Sequence, residues 1–255
     1  MKEFKFFNEE LSLDSKNKIT KYIHDFDAIE GGFGKRNFIK NITVDGIELN
    51  IKSFKIPNLV NKIAYKFFRK SKARRSFEYG NKLLNMGINT PKPIAYIEYS
   101  SMFFIQNSFY ISEQFDDDLT YRELIFNHDY PDFEIILRAF TRFTFNLHEN
   151  GINFLDHSPG NTLIKKNGEE YEFYLVDLNR MKFQSMSFEE RMKNFAKLSP
   201  KDVMLDIMSD EYAKLYPQKT KNEIVEVMYF FSNKFSTYYK KKERFKERYF
   251  FWRSK

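Results

Sequence analysis

The sequence predicts an α+β protein in two lobes, an antiparallel sheet with one packed helix followed by a mainly helical half. Three observations predict it. Residues 38–54 read as two strand-like runs around an Asp45-Gly46 turn, and more extended runs follow before residue 115. Beyond residue 116 apolar residues recur at helical spacing, most clearly over Asp132–Gly151, where Phe133, Ile136, Leu137, Phe140, Phe143 and Leu147 share a face. A length of 255 residues suits one large domain or two small lobes, and no repeat, low-complexity tract or Pro/Ser-rich linker divides it. The expected division is 1–115 and 116–255, the two lobes forming one functional unit.

Composition narrows the chemistry. With 30 Phe and 16 Tyr and a hydrophobic share of 42 %, the chain can fill a core and is not a disordered segment. The absence of Cys excludes disulfides, thiolate metal sites and thiol catalysis, and fits a reducing compartment. Four His make a histidine-rich metal site improbable. The start, M-K-E-F-K-F-F-N-E-E, carries no signal-peptide pattern. No apolar run approaches the roughly 18 residues of a membrane span. A cytoplasmic protein, soluble or peripheral at a membrane, is expected. The net charge of +7 fits an ordinary basic protein, an anionic membrane, phosphorylated ligands or nucleic acid, and does not rank them.

In chain order, residues 1–29 read as a helical lead-in, with Leu11, Leu13, Ile19, Tyr22 and Ile23 at helical spacing. G-G-F-G-K-R-N over Gly31–Asn37, with Gly32 and Gly34, is either a glycine turn or a loop that lets backbone N–H groups approach phosphates. Phe38–Val44 and Ile47–Phe54 then form a hairpin. Its second strand carries Lys52 after an apolar residue, with Lys55 on the opposite face. By itself Lys52 reads as a solvated strand lysine.

Pro57–Arg75 is a basic amphipathic stretch, suited either to a membrane surface or to packing with its basic face solvated. Arg75–Met86 reads as a helix with Phe77, Leu83, Leu84 and Met86 inward and Glu78 in its first turns; Gly87 ends it, and Pro91 and Pro93 hold the next segment extended. Ser101–Gln106 and Phe109–Gln114 are expected to pair as a hairpin closing the first lobe, with Glu113-Gln114-Phe115 as a hinge. Asp116–Asp118 reads as a solvated linker, and Tyr121–Phe126 and Asp132–Gly151 as helices, His148 being a core or capping residue. Ser187–Leu198, Pro200–Met208 and Asn222–Tyr239 are further expected helices. The end, from Lys240, interleaves Lys and Arg with Phe245, Tyr249, Phe250, Phe251 and Trp252, as a membrane anchor, a base-stacking surface or a segment docked on the lobe would.

The stretch that carries chemistry is Phe154–Arg180. Asp156 is followed after four residues by Asn161, then come an apolar run, an Asn167-Gly168 turn, and a second apolar run (Tyr171–Val176) ending at Asp177. A hairpin folds back on itself, so both ends converge. One Asp to accept the proton of an attacking hydroxyl, with an Asn and a second Asp to hold magnesium on phosphates, is the set that phosphoryl transfer from ATP requires. Asp-x-x-x-x-Asn is the spacing of the catalytic loop of protein-kinase-like enzymes.

These segments, D-H-S-P-G-N and V-D-L-N-R, resemble the H-x-D-L-x-P-G-N and I-D-F-x-R segments of the lipopolysaccharide kinase (Kdo/WaaP) family, over roughly Phe38–Arg180. The resemblance implies a protein-kinase-like two-lobe fold, with an αC-type helix in the N-lobe, and phosphorylation of a sugar in the lipopolysaccharide inner core with ATP and Mg2+. Asp156 would be the catalytic base, and Asn161 and Asp177 the metal ligands. Lys52 would hold phosphates and pair with Glu78, Gly32 and Gly34 would cover the phosphates, and the backbone at Glu113 would meet the adenine. Phe154 and Leu155 depart from the family's His and from the Arg of H-R-D, and Leu178-Asn179 replace Phe-Gly. Arg180 and Lys182 would meet an anionic acceptor, with His157 beside them.

The expected partner is a lipopolysaccharide core or lipid-linked sugar, with peripheral membrane contact through the basic-aromatic segments and no nucleic acid. Kinases of another small molecule or of protein Ser/Thr, and a catalytically silent scaffold, are the competing readings. A nucleic-acid binder rests on charge and the basic-aromatic end alone.

Overall fold

The structure, a computed structural model, describes residues 2–30, 32, 37–55, 70–101, 105–198 and 200–249. Most of the basic stretch 57–75 and the aromatic end 250–255 lie outside the described residues. The chain forms two compact units: residues 1–116 together with Leu175–Asn179, and residues 117–174 together with 180–255. The return of Leu175–Asn179 to the first unit is not foreseeable from composition.

The first unit is built on five antiparallel strands in the order β1-β4-β5-β3-β2: β1 (Lys2–Phe7), β2 (Asn37–Val44), β3 (Ile47–Lys55), β4 (Pro93–Ser100) and β5 (Ile105–Glu113). Period-two alternation sorts the two faces. Leu49, Ile51, Ala95, Ile97, Phe109 and Ile111 pack with Ile19 and Ile23 of helix α1 (Leu13–His24). Phe54 and Tyr96 pack on the other face with Ala73 and Phe77 of helix α2 (Lys72–Asn85). Lys52 shares the face of Phe54, so the alternation delivers it to the α2 side.

The β2–β3 hairpin is as expected, turning at Asp45 (φ 53°) and Gly46 (φ 81°) with Val44 opposite Ile47. Helix α2 begins at an N-cap, Ser71, whose hydroxyl accepts from the Arg74 N–H. It ends in a Schellman turn: the Ile88 N–H donates to the Leu83 carbonyl and the Gly87 N–H to that of Leu84, with Gly87 at φ 73°.

Two expectations for this unit are corrected. Lys2–Phe7 is an edge strand paired with β4, not part of a helical lead-in; Phe4 and Phe6 alternate onto Tyr96, which is strand periodicity. The hairpin expected over Ser101–Gln106 and Phe109–Gln114 is absent, because Asn107 and Ser108 continue β5 and pair with Lys55 and Phe54. Ser108 is buried within the sheet, a place where a turn cannot form.

The second unit is mainly helical: α3 (Tyr121–Phe126), α4 (Phe133–Glu149), α5 (Phe188–Phe195), α6 (Asp202–Leu215) and α7 (Lys221–Tyr249). Its core joins Ile136, Leu137 and Phe140 of α4 to Met204, Leu205, Met208 and Tyr212 of α6 and Ile224 and Met228 of α7. Helix α7 runs ten residues past the end expected for it, so Lys240–Tyr249 is helical. Strands β6 (Leu119–Thr120), β8 (Thr162–Asn167) and β9 (Glu170–Leu175) form a small sheet in which β8 is central. A further pair, β7 (Ile152–Phe154) with β10 (Met181–Phe183), was not evident from sequence, three residues being too few to show a period.

Candidate active site

In the first unit the expected phosphate-handling residues meet. The Lys52 ammonium stands 2.9 Å from Asp177 Oδ1. Asn179 Nδ2 donates to the same oxygen at 2.6 Å. Asp177 adopts φ 58°, a left-handed conformation that Asp tolerates better than most residues. It turns the carboxylate out of line with β9. The segment is tied down at three points. The Leu175 N–H donates to the Asn89 carbonyl, and the Thr90 hydroxyl to the Leu175 carbonyl. Arg75, only 6 % exposed, donates from Nη1 to the Asn179 carbonyl at 2.6 Å.

Arg75, not Glu78, is therefore the residue α2 sends to this segment. Glu78 accepts from Lys70 at 2.7 Å and from Arg74 Nε at 2.8 Å. Burial pushes its carboxyl up, but these two cations outweigh that and hold it below the usual glutamate range. The expected Lys52–Glu78 pair is not formed: one helical turn separates Arg74 from Glu78, and that local partner takes the carboxylate. Gly80 lets α2 come close; a Cβ there would lie 2.6 Å from Pro93 Cγ and 3.4 Å from Leu178 Cδ1.

Gly32 has φ 106°, and a Cβ on it would meet the Ile39 carbonyl at 3.0 Å. Gly34 lies outside the described residues. At Glu113 the N–H donates to the Lys92 carbonyl, and that of Gln114 to the Glu48 carbonyl. Both donors expected near a nucleobase are thus engaged within the sheet.

In the second unit, β7 pairing with β10 places the segment expected to be the catalytic loop, and the Leu155 N–H donates to the Arg180 carbonyl. The loop is a tight turn. Ser158 N–H donates to the Asp156 carbonyl at 2.7 Å, and Asn161 Nδ2 donates to the same carbonyl at 2.8 Å. Asn161 is oriented by this bond with its amide oxygen left to accept. Two cations flank the Asp156 carboxylate, Arg180 at 3.7 Å and Lys197 at 3.9 Å. The Lys197 ammonium also donates to the Leu155 carbonyl. Burial lowers the pKa of Lys197, with Asp156 opposing and Arg180 and Lys193 adding to the fall. Lys197 was not foreseen; it follows α5 on the 3-10 turn Ala196–Leu198, and nothing in its local pattern points at residue 156.

His157 is fully buried, which excludes the substrate contact expected of it. Its Nδ1 lies 2.9 Å from Asn194 Oδ1, and its ring packs between Phe140 and Phe154. Asn194 Nδ2 in turn donates to the Phe154 carbonyl at 2.9 Å. His157 thus pins the loop to the core. His148, likewise buried, pairs with the Tyr212 hydroxyl at 3.0 Å. Arg122 covers Gly160, where a Cβ would lie 2.8 Å from Nη2. Lys182 is exposed on β10.

Compared with known proteins, the chain matches the profile of the lipopolysaccharide kinase (Kdo/WaaP) family over residues 56–231, more than half its length. That span takes in Asp156, Asn161 and Asp177 and begins after Lys52. No curated protein matches the chain. Among solved structures it is similar to WaaP in complex with acyl carrier protein, at 17 % identity and a TM-score of 0.62, covering 92 % of this chain and 98 % of that one. At that identity the likeness speaks for the fold, which is protein-kinase-like. With the loop Asp156–Asn161 and the Lys52–Asp177 pair in place, the profile match settles the classification: the chain belongs to the lipopolysaccharide kinase (Kdo/WaaP) family.

Proposed function

We propose that the protein transfers the γ-phosphoryl group of ATP to a sugar hydroxyl, Kdo or heptose, of the lipopolysaccharide inner core. The observation that carries this is the 2.9 Å contact of Lys52 with Asp177, which unites two residues with phosphate-handling chemistry from distant parts of the sequence. In the reaction the acceptor oxygen forms a bond to the γ-phosphorus as the bond to the ADP oxygen breaks. Asp156 takes the hydroxyl proton. Arg180 and Lys197 flank its carboxylate, and Asn161 fixes the turn that carries it. Lys52 would exchange its Asp177 contact for the α- and β-phosphates.

Magnesium fits the donors present. Asp177 meets Lys52 and Asn179 through Oδ1, leaving Oδ2 to offer, and Asn161 has its amide oxygen to offer. Two hard oxygen donors suit an ion that takes the rest of its shell from phosphates and water. Bound there, magnesium would neutralise charge on the phosphates. Among the described residues no group of three or more His, Asp or Glu side chains is placed to hold a metal ion by itself.

We place the protein at the cytoplasmic face of the membrane. Among the described residues no helix is long and apolar enough to cross one. The end of α7 supports a peripheral role, because Tyr238, Tyr239, Phe245 and Tyr249 stand exposed among Lys and Arg. The test is transfer of labelled γ-phosphate from Mg·ATP into a lipopolysaccharide fraction by wild type and Asp156→Asn. Label lost in the variant is expected; equal labelling by both sinks the assignment. A silent scaffold is the second reading, favoured by Glu78 being held away from Lys52 by Lys70 and Arg74. Nucleotide binding with no turnover by wild type would select it.

A further inference from the structure

Strand β1 ends one side of the five-stranded sheet, and among the described residues no strand flanks its outer side. One bond shows which of its backbone groups face outward. The Asn8 N–H donates to the Ile94 carbonyl, one step past the Phe7–Ala95 pair. Hydrogen bonding alternates along an antiparallel pair, so Lys2, Phe4 and Phe6 bond to β4. Glu3, Lys5 and Phe7 therefore turn their N–H and C=O groups to the outside, a row that can template another strand. The other edge of the sheet differs: at β2 the chain itself lies against the Ile39 carbonyl, which a Cβ on Gly32 would meet at 3.0 Å.

The two faces of β1 carry different chemistry. On one, Lys5 stands 2.8 Å from Glu3, whose carboxylate also accepts from the Tyr99 hydroxyl at 2.8 Å and meets His24 at 3.0 Å. A lysine on an edge strand ordinarily repels a second edge; here Glu3 offsets that charge. On the other face Phe4 and Phe6 lie against Tyr96, with ring centroids at 5.8 and 5.6 Å, yet remain 50 % and 46 % exposed.

This pattern is complementary to itself. In a two-fold antiparallel pairing, outward-facing residues must oppose outward-facing residues, so the axis passes through a residue and not between two. An axis at Glu3 or at Lys5 sets like charges directly opposite, which is destabilising. An axis at Phe6 leaves Lys5 opposite Phe7. An axis at Phe4 sets Glu3 opposite Lys5 of the second copy, twice over, so that the four charges alternate in sign. It also brings Phe4 onto its counterpart in a non-hydrogen-bonded pair, where side chains approach most closely, and Phe6 beside Lys2 of the second copy.

We propose that β1 is a self-association surface, through which two copies of this chain pair antiparallel about Phe4 and join their five-stranded sheets into one. The surface lies wholly in the first unit and does not depend on the kinase reading. A strand pair this short belongs at the small end of protein interfaces, so the dimer is a weak one.

Sedimentation equilibrium of the full chain, over about 1 µM to 1 mM, reads the association. Wild type should pass from monomer to dimer in that range. Lys5→Glu and Glu3→Lys should each weaken Kd at least about tenfold, because each sets like charges opposite, and an equimolar mixture of the two should associate within about threefold of wild type. Lys5→Pro removes an outward N–H and no bond to β4; it should melt close to wild type and stay monomeric. The chain has no Cys, so Phe4→Cys carries a single thiol. Its Cα should lie about 4.5 Å from its counterpart, within disulfide range, and oxidation should cross-link it about tenfold faster than Phe6→Cys. A wild type that stays monomeric to 1 mM overturns the proposal. So does a dimer that survives Lys5→Pro with unchanged Kd, or one in which the charge variants fail to complement each other and Phe6→Cys cross-links as fast as Phe4→Cys.

Discussion

Arg75 and Glu78 stand three positions apart on α2, and the structure assigns them opposite importance to that expected from sequence. Arg75→Met keeps the apolar stem and removes the guanidinium. It deletes the 2.6 Å bond to the Asn179 carbonyl and a 3.3 Å bond to that of Ser71, and leaves a buried acceptor short of its donor. Hydrogen bonds to charged groups contribute about 1.5–3 kcal/mol, and a buried unsatisfied acceptor costs about 1–3, the two overlapping. A loss of ~2–4 kcal/mol follows, a fall of roughly 5–15 °C in the melting of the unit that contains it. Asp177, two residues before Asn179, loses its anchor at the same time, so the magnesium concentration for half-maximal transfer should rise about tenfold.

Glu78→Gln instead breaks two partly exposed ion pairs, worth ~1 kcal/mol or less together, and should leave transfer within about twofold of wild type. Thermal melts and labelled transfer across a magnesium series read both variants side by side. Stability and magnesium dependence unchanged in Arg75→Met, or a transfer loss beyond about tenfold in Glu78→Gln, would refute this reasoning. The latter result would restore the Lys52–Glu78 pair.

Other predictions follow from the same packing. Burial holds His157 neutral, with its pKa lowered to about 4, and His148 likewise, lowered to about 3. An unfolded chain protonates both below its ordinary value near 6.5, so between there and about 4 the unfolded state binds more protons. Stability of the second unit should fall as pH drops through that window, by up to ~1.4 kcal/mol per pH unit for each imidazole. Urea midpoints at pH 7, 6 and 5 that do not move would contradict it. Asp210, held low by Arg138, Lys214 and Lys221, acts further down, losing its contribution as pH falls below the ordinary carboxylate range. Gly80→Ala gains helix propensity of about 1 kcal/mol but drives a Cβ to 2.6 Å from a rigid Pro93 ring; overpacking of about 1–3 kcal/mol should prevail, and a raised melting temperature would show otherwise.

Local chemistry decided much of this protein before any contact between distant parts. Asp45-Gly46 makes its hairpin because both residues tolerate positive φ, and Gly87 ends α2 for the same reason. The apolar face of α4 is legible because a helix brings its own neighbours together every three to four residues. Asp156 and Asn161 share one turn, so their spacing alone sets the bond between them. Tertiary structure decided wherever several partners were chemically equal. Lys2–Phe7 became a strand because β4 offered an edge, which the short run K-E-F-K-F-F does not disclose. Glu78 had Arg74 one turn away and Lys70 just ahead of the helix and took both, leaving Lys52 to Asp177 and the anchoring of Asn179 to Arg75. His157 went inward to Asn194, and Lys197 reached Asp156, through pairings across the fold. A charge in a sequence has many possible counterions; only the distances set by packing choose among them.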